Sequence, residues 1–150
     1  MFEIVIDIYS HALGVCEAFC EVVRAGVKRI ALSHPFTREE LHRDLHGEAF
    51  FAACAKIAEK YGCKAYYLEE PILTDLFPLS LNLGKQNVVF YREDKDIEEL
   101  LAIQNEKNAL QKSGQYTGEA RRAIAVRYGH LLSYSDEAIE RYLNHNTERE

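Results

Sequence analysis

Three pairs of polar or ionisable side chains follow segments that the sequence predicts to be β-strands. The carboxyl ends of parallel strands meet at one edge of a sheet, where the ligands of α/β proteins collect, and nearly all crossovers between such strands are right-handed. We therefore expect the pairs to converge on a small-molecule site, with histidine and glutamate as proton acceptor and donor. The predicted catalytic groups are His11, His34 and Glu70, and the predicted binding groups are Ser10, Ser33 and Glu69.

The segment 42–46 (His-Arg-Asp-Leu-His) places two imidazoles four residues apart. On a helix this spacing puts both on one face, where they can ligate one metal ion. The glutamate that zinc proteases carry directly after the first histidine is missing, so the segment is not that motif. Together with a strand-end histidine and glutamate, His42 and His46 are candidate ligands for Zn, Mn or Fe(II). The competing interpretation is a solvated pair on a charged helix face.

A single long helix is predicted over Thr37–Tyr61. Thr37 and Glu40 fit a capping box, in which each side chain bonds the other residue's backbone amide. At 1.5 Å per residue this helix is about 37 Å long, whereas a strand spans ~17–20 Å, so its first half extends beyond the sheet. The sheet-facing side of that half is ionisable, which predicts a wall of the pocket. The residues on this side are Glu39, His42, Arg43 and His46, of which Glu39 and Arg43 are predicted to bind the ligand.

Each assignment competes with a purely structural one. The strand-end histidines can cap the helices that follow them, and the two glutamates can be an ordinary polar end of a strand. Arg127 belongs to the only local concentration of basic residues and is a candidate for clamping a phosphate or carboxylate; surface pairing with neighbouring acids is the alternative. The four cysteines lack Cys-x-x-Cys spacing and are expected to be free thiols in the core.

The elements that must position these groups alternate between strand and helix in the first two-thirds of the chain. The pattern predicts one α/β domain over 1–150, with a strand–helix core over 1–95 and three C-terminal helices over 96–146 packed on it. Its four-stranded sheet is expected to be small and at least partly parallel. The direction of the fourth strand stays open, because the connection 71–86 suits a crossover or a long antiparallel return. Strands are predicted over Phe2–Tyr9, Lys28–Leu32, Cys63–Glu70 and Asn87–Tyr91.

Composition and charge argue against several classes of protein. Among 150 residues, 18 basic and 24 acidic side chains give a net charge of −6, and neither half of the chain is basic. Binding to nucleic acid needs clustered Lys and Arg, so neither nucleic acid nor an anionic membrane surface is an expected partner. The acidic start is unlike a signal peptide, and no apolar run reaches the ~20 residues of a membrane span. A cytoplasmic protein is expected.

Two functions compete on these grounds. The first is a small enzyme that applies His/Glu acid–base or metal-assisted chemistry to a small polar substrate. The second is a non-catalytic interaction or regulatory module, in which Leu41 and Leu45 supply contacts of a homodimer and C-terminal tyrosines add contact area. The alternative is that the C-terminal helices cover Leu41 and Leu45 within one chain. No nucleotide-binding or serine-hydrolase motif is present in the sequence.

Overall fold

A computed structural model describes residues 3–150 of the chain and contains, within that range, seven helices and three strands. The helices are α1 (Ile8–Arg24), α2 (Arg38–Asp44), α3 (Glu48–Lys60), α4 (Leu79–Asn82), α5 (Asp94–Lys112), α6 (Gly118–Leu131) and α7 (Asp136–His145). The strands are β1 (Ile30–Leu32), β2 (Lys64–Leu68) and β3 (Asn87–Tyr91). Between residues 3 and 150, no helix combines the length and the apolar composition needed to cross a bilayer.

The three strands form one antiparallel sheet in the order β1-β3-β2. Val89 of the central strand is opposite Leu32 of β1 and Tyr66 of β2. Because both outer strands are antiparallel to β3, they run in the same direction without pairing with each other, and their carboxyl ends lie at one edge of the sheet. The expected four-stranded, partly parallel sheet is therefore wrong.

The direction of β3 accounts for part of this error. All five of its residues are buried and four of them, Val88–Tyr91, are apolar, and such a buried strand has a similar composition whether its neighbours are parallel or antiparallel. The connection between β2 and β3 holds only the four-residue helix α4, which brings the chain back along the same edge. The antiparallel return, left open by the sequence, is the one that forms.

The predicted first strand is also wrong over the residues described. Residues 3–7 have no strand partner, and α1 begins at Ile8, within the predicted strand. The Asp7 side chain accepts a hydrogen bond from the Ser10 amide at 3.0 Å and so caps the helix. This local cap satisfies a first-turn donor, whereas a strand needs a partner that is distant in sequence. Phe2 lies outside the described residues.

The predicted helix over 37–61 is two helices. The capping box at Thr37 and Glu40 is present, but α2 ends after Asp44 and α3 begins at Glu48. Between them His46 and Gly47 have positive φ angles of 62° and 61°, and the Gly47 amide bonds the Leu41 carbonyl oxygen at 2.9 Å. A left-handed residue is a common way to end a helix, with glycine the residue that adopts it most easily.

Two hydrophobic cores lie on opposite faces of the sheet, because successive side chains of a strand point to opposite sides. Val88 and Phe90 face the core formed with α1, α2 and α3, here called the α1–α3 core. Val89 and Tyr91 face the core formed with α5, α6 and α7. The result is a sheet between two helical layers.

Leu41 and Leu45 belong to the α1–α3 core and are 4% and 5% exposed. They offer no surface for a homodimer, so that expectation is wrong for these two residues. Their cover also differs from the alternative predicted from the sequence. It comes from α1 and α3 instead of the C-terminal helices, which lie on the other face of the sheet.

Candidate functional site

Two histidines that are distant in sequence lie side by side at the edge where β1 ends. His11 is on the first turns of α1, and His34 is in the connection from β1 to α2. Their ring centroids are 6.1 Å apart and the ring planes differ by 5°. Both side chains are exposed at the surface. The two imidazoles can therefore reach the same small molecule.

Ser33 fixes the backbone that carries His34. Its hydroxyl accepts a hydrogen bond from the Val88 amide at 2.9 Å and donates to the His34 carbonyl oxygen at 3.1 Å. The Asn87 side-chain amide donates to the Ser33 carbonyl oxygen at 2.9 Å. Since Ser33 is buried and its hydroxyl is used internally, its role here is to position His34.

A cavity of about 120 Å³ opens beside the two imidazoles; we call it the histidine cavity. Its floor is apolar and includes Ala12, Phe36 and Phe50, and its rim carries carboxylates from α2 as well as the histidines. Pockets for drug-sized ligands span ~300–1,000 Å³. The histidine cavity therefore suits a small molecule and not a cofactor of dinucleotide size.

The two carboxylates at the rim belong to Glu40 and Asp44. Glu40 is held by the capping box, where it accepts a hydrogen bond from the Thr37 amide at 3.3 Å. Asp44 accepts hydrogen bonds from the Arg43 guanidinium at 3.0 and 2.9 Å. These bonds are the largest influence on the Asp44 carboxyl and lower its pKa. Asp44 is therefore held as a carboxylate whose charge is paired with the Arg43 guanidinium.

The ligand-binding residues predicted from the sequence, Glu39 and Arg43, are instead the neighbours of these two acids in the chain. Glu39 is 81% exposed at its side chain and pairs with Arg43 at 3.2 Å, and neither residue lines the cavity. The misassignment follows from treating α2 and α3 as one helix, because that projects the buried side of α3 onto α2. The capping box was the available clue, since it fixes Glu40 in the first turn of α2.

The structure does not bring the strand-end glutamates to the histidines. Glu69 and Glu70 are exposed and do not line the histidine cavity. The Glu70 carbonyl oxygen instead accepts a hydrogen bond from Gln104 of α5 at 3.2 Å. Ser10 bonds the capping Asp7 through its amide at 3.0 Å and is also absent from the cavity wall.

The basic side chains of α6 are paired with carboxylates. Arg127 bonds both carboxylate oxygens of Glu99, at 2.7 and 3.1 Å, and also reaches Glu106. Arg121 bonds both oxygens of Asp75 at 2.6 Å. These pairs match the surface-pairing alternative for Arg127 and leave its guanidinium occupied.

The geometry assumed for a metal site at His42 and His46 is absent. His42 is on α2, whereas His46 lies beyond its end with a positive φ angle. The His46 ring packs edge-to-face on Tyr9, with centroids 4.4 Å apart. Across residues 3–150, no three His, Cys, Asp or Glu side chains are grouped so that they could hold a metal ion.

All four cysteines are free and buried. The Cys16 and Cys54 sulfur atoms are 3.9 Å apart in the α1–α3 core. Burial is the largest influence on Cys20 and raises its pKa to about 12. The thiolate is the reactive form of cysteine, so this environment fits a core thiol.

Comparison with known proteins gives no relative from which to transfer a function. The chain matches no protein-family model, and no curated protein or solved structure is significantly similar to it. Function is therefore inferred from the geometry of the site alone.

Proposed function

We propose that this protein is a small enzyme in which His11 and His34 carry out acid–base chemistry on a small polar substrate. The observation that supports the proposal is the parallel pair of imidazoles, 6.1 Å apart, at the rim of the histidine cavity. In a pair of imidazoles near neutral pH, one can accept a proton while the other donates one.

The charge at the rim indicates the class of substrate. Arg43 pairs with Asp44 from outside the cavity, but the cavity lining itself holds, among the described residues, two acidic residues, Asp44 and Glu40, and no lysine or arginine. These two acids repel anions and favour neutral or cationic molecules. Small alcohols, amides and amines fit both this charge and the volume of about 120 Å³. Asp44 and Glu40 also take the carboxylate role that the sequence assigned to Glu70.

Ligand-observed NMR with a panel of small alcohols, amides and amines tests this proposal, with matched carboxylates as controls. We expect the panel, but not the carboxylates, to bind and to shift the imidazole resonances of His11 and His34. Any turnover should fall about 10²–10⁴-fold in His11→Ala and in His34→Ala, as for loss of a general acid or base.

His145→Ala provides the matched control, because His145 is exposed on α7 and is not part of the cavity wall. It should leave both binding and turnover unchanged. Unaltered binding and turnover in the double variant His11→Ala/His34→Ala would show that the site lies elsewhere.

A second candidate function, a self-associating interaction module, is favoured by the segment before α1. Ile4 and Val5 are each 85% exposed, and Ile6 and Ile8 are also largely exposed. Isolated apolar side chains are normal on a protein surface, whereas a contiguous group of them marks an interaction site. Concentration-dependent association without turnover of any panel member would favour this function over the enzyme.

A further inference from the structure

A second and larger cavity lies on the other side of the connection from β1 to α2. Its volume is about 260 Å³, and we call it the aromatic cavity. Its aromatic lining comes from Phe19 of α1, Phe77 before α4, Tyr128 of α6 and Tyr134 in the connection from α6 to α7. The Phe77 ring meets those of Tyr128 and Tyr134 edge-on, at 6.4 and 6.2 Å between centroids. These contacts give the cavity a mainly apolar, preformed wall.

Lys28 is the one ammonium group among the residues lining this cavity. Its Nζ donates to the Leu132 carbonyl oxygen and lies 5.3 Å from the centroid of the Tyr134 ring. Within residues 3–150 it forms no ion pair, and burial, with no carboxylate contributing, lowers its pKa. An ammonium group has three donors, so two are left for a ligand.

Tyr128 supplies a second free donor. The residue is 4% exposed, and no hydrogen bond to its hydroxyl is formed by any described residue. Burial raises its pKa, so the phenol keeps its proton and can donate it to an acceptor. A half-buried cation in an apolar cavity is stabilised by an anionic acceptor, and a phenol that keeps its proton can donate a hydrogen bond to the same kind of acceptor.

We propose that the aromatic cavity binds a small aromatic carboxylate, with the ring between the aromatic side chains and the carboxylate on Lys28 and Tyr128. A single ammonium group balances one negative charge. No arginine lines the cavity, and arginine is the residue best matched to phosphate. A cavity of about 260 Å³ fits one ring with a short acidic chain. This inference does not rest on the function proposed for the histidine cavity.

The test compares 3-phenylpropanoate with its neutral analogue 3-phenylpropanamide, titrated into the ¹⁵N-labelled full chain and followed by amide NMR shifts. We expect the carboxylate to bind at least tenfold more tightly, with shifts around Phe19, Leu132 and Tyr134. Equal affinity for the two probes, no binding at millimolar concentration, or shifts confined to another region would overturn the proposal.

Substitutions then separate the contributions of the Lys28 ammonium group and the Tyr128 hydroxyl to carboxylate binding. Lys28→Met should weaken carboxylate binding about tenfold or more and leave amide binding unchanged, because it removes a hydrogen bond between two charged groups. Tyr128→Phe should weaken it in the same direction, and Lys28→Arg should retain it. Lys56→Met is the matched control, because Lys56 is exposed on α3 and away from the cavity. Undiminished carboxylate binding in a folded Lys28→Met variant would also overturn the proposal. If that variant does not fold, the comparison of acid and amide in the unmutated chain still supports or overturns it.

Discussion

Asp75 and Arg121 form the most buried bidentate salt bridge of the α5–α7 layer. Asp75 is 6% exposed, and the Arg121 guanidinium donates to both of its oxygens at 2.6 Å. These hydrogen bonds are the largest influence on the Asp75 carboxyl and hold its pKa below the ordinary value. A lowered folded-state pKa stabilises the fold above the unfolded pKa of about 3.9, and the stabilisation is lost as pH falls through the folded value.

Asp75→Asn should therefore lower the free energy of unfolding at pH 7 by about 2–3 kcal/mol, because it removes charged hydrogen bonds from a buried site. The free energy of unfolding of this variant should also fall less steeply below pH 4 than that of the unmutated chain. Urea denaturation at a series of pH values measures both effects. Asp94→Asn, in an exposed pair with Lys64, should change little. The prediction would be contradicted if the free energy of unfolding fell below pH 4 as steeply in the variant as in the unmutated chain.

The Ser33 hydroxyl holds the backbone that carries His34, one of the two paired histidines. Ser33→Ala leaves the buried Val88 amide without its partner, which should cost about 1–3 kcal/mol. It also releases the His34 carbonyl oxygen, so the His34 ring should lose its fixed orientation. Thermal denaturation and the His34 imidazole resonances measure these effects, with exposed Ser113→Ala as the control. A stable variant with unchanged His34 resonances would show that Ser33 does not position the ring.

At the scale of helices, α6 and α7 approach each other at Gly129. A Cβ atom added there would lie 2.7 Å from Cγ1 of Ile139, a buried core residue. Gly129→Ala should therefore destabilise the protein by about 1–3 kcal/mol through overpacking, despite the better helix propensity of alanine.

Gly14→Ala is the matched control within a helix, because a Cβ at Gly14 of α1 meets nothing within 4 Å. It should stabilise the protein by about 0.5–1 kcal/mol. Chemical denaturation of the two variants measures the difference. Equal effects at the two positions would show that α6 and α7 are not closely packed at Gly129.

Local chemistry made some elements predictable. The capping box at Thr37 and Glu40 is present, and the last three predicted strands contain the three observed ones. Strand partners and directions were not predictable, because pairing depends on segments that are distant in sequence. The break at Leu45–Gly47 was missed because it requires His46 to adopt a positive φ angle, which a residue with a Cβ atom rarely does.

The residues of the candidate site were likewise predictable only in part. The sequence predicted that His11 and His34 would meet because both would follow parallel strands. The two rings do lie side by side. However, His11 is on α1, and His34 is in the connection from β1 to α2. Glu40 and Asp44 were missed because their position depends on where α2 ends. Both lie on α2, which ends at Asp44, whereas the helix predicted from the sequence continued to Tyr61.

For the molecule as a whole, the segment before α1 is where we expect one copy to contact another. Its side chains Ile4, Val5 and Ile6 are largely exposed, and β-branched residues of this kind favour strand pairing. We expect two copies to associate through this segment. Sedimentation should show a species heavier than the 17.2 kDa chain at high concentration. Ile4→Ser/Ile6→Ser should shift the equilibrium toward the monomer, whereas Val27→Ser, at an exposed valine outside this segment, should not.

A strictly monomeric chain at all concentrations would contradict this expectation and remove the main support for the interaction module.

Ser33 and Pro35 line both the histidine cavity and the aromatic cavity. They are therefore a shared wall, and a ligand that displaces this wall from one side changes the shape available on the other. Such a displacement makes the two binding equilibria thermodynamically linked. An aromatic acid would then act as an effector of the histidine cavity. The factor by which it changes affinity there must equal the factor by which a ligand in the histidine cavity changes the affinity for the acid.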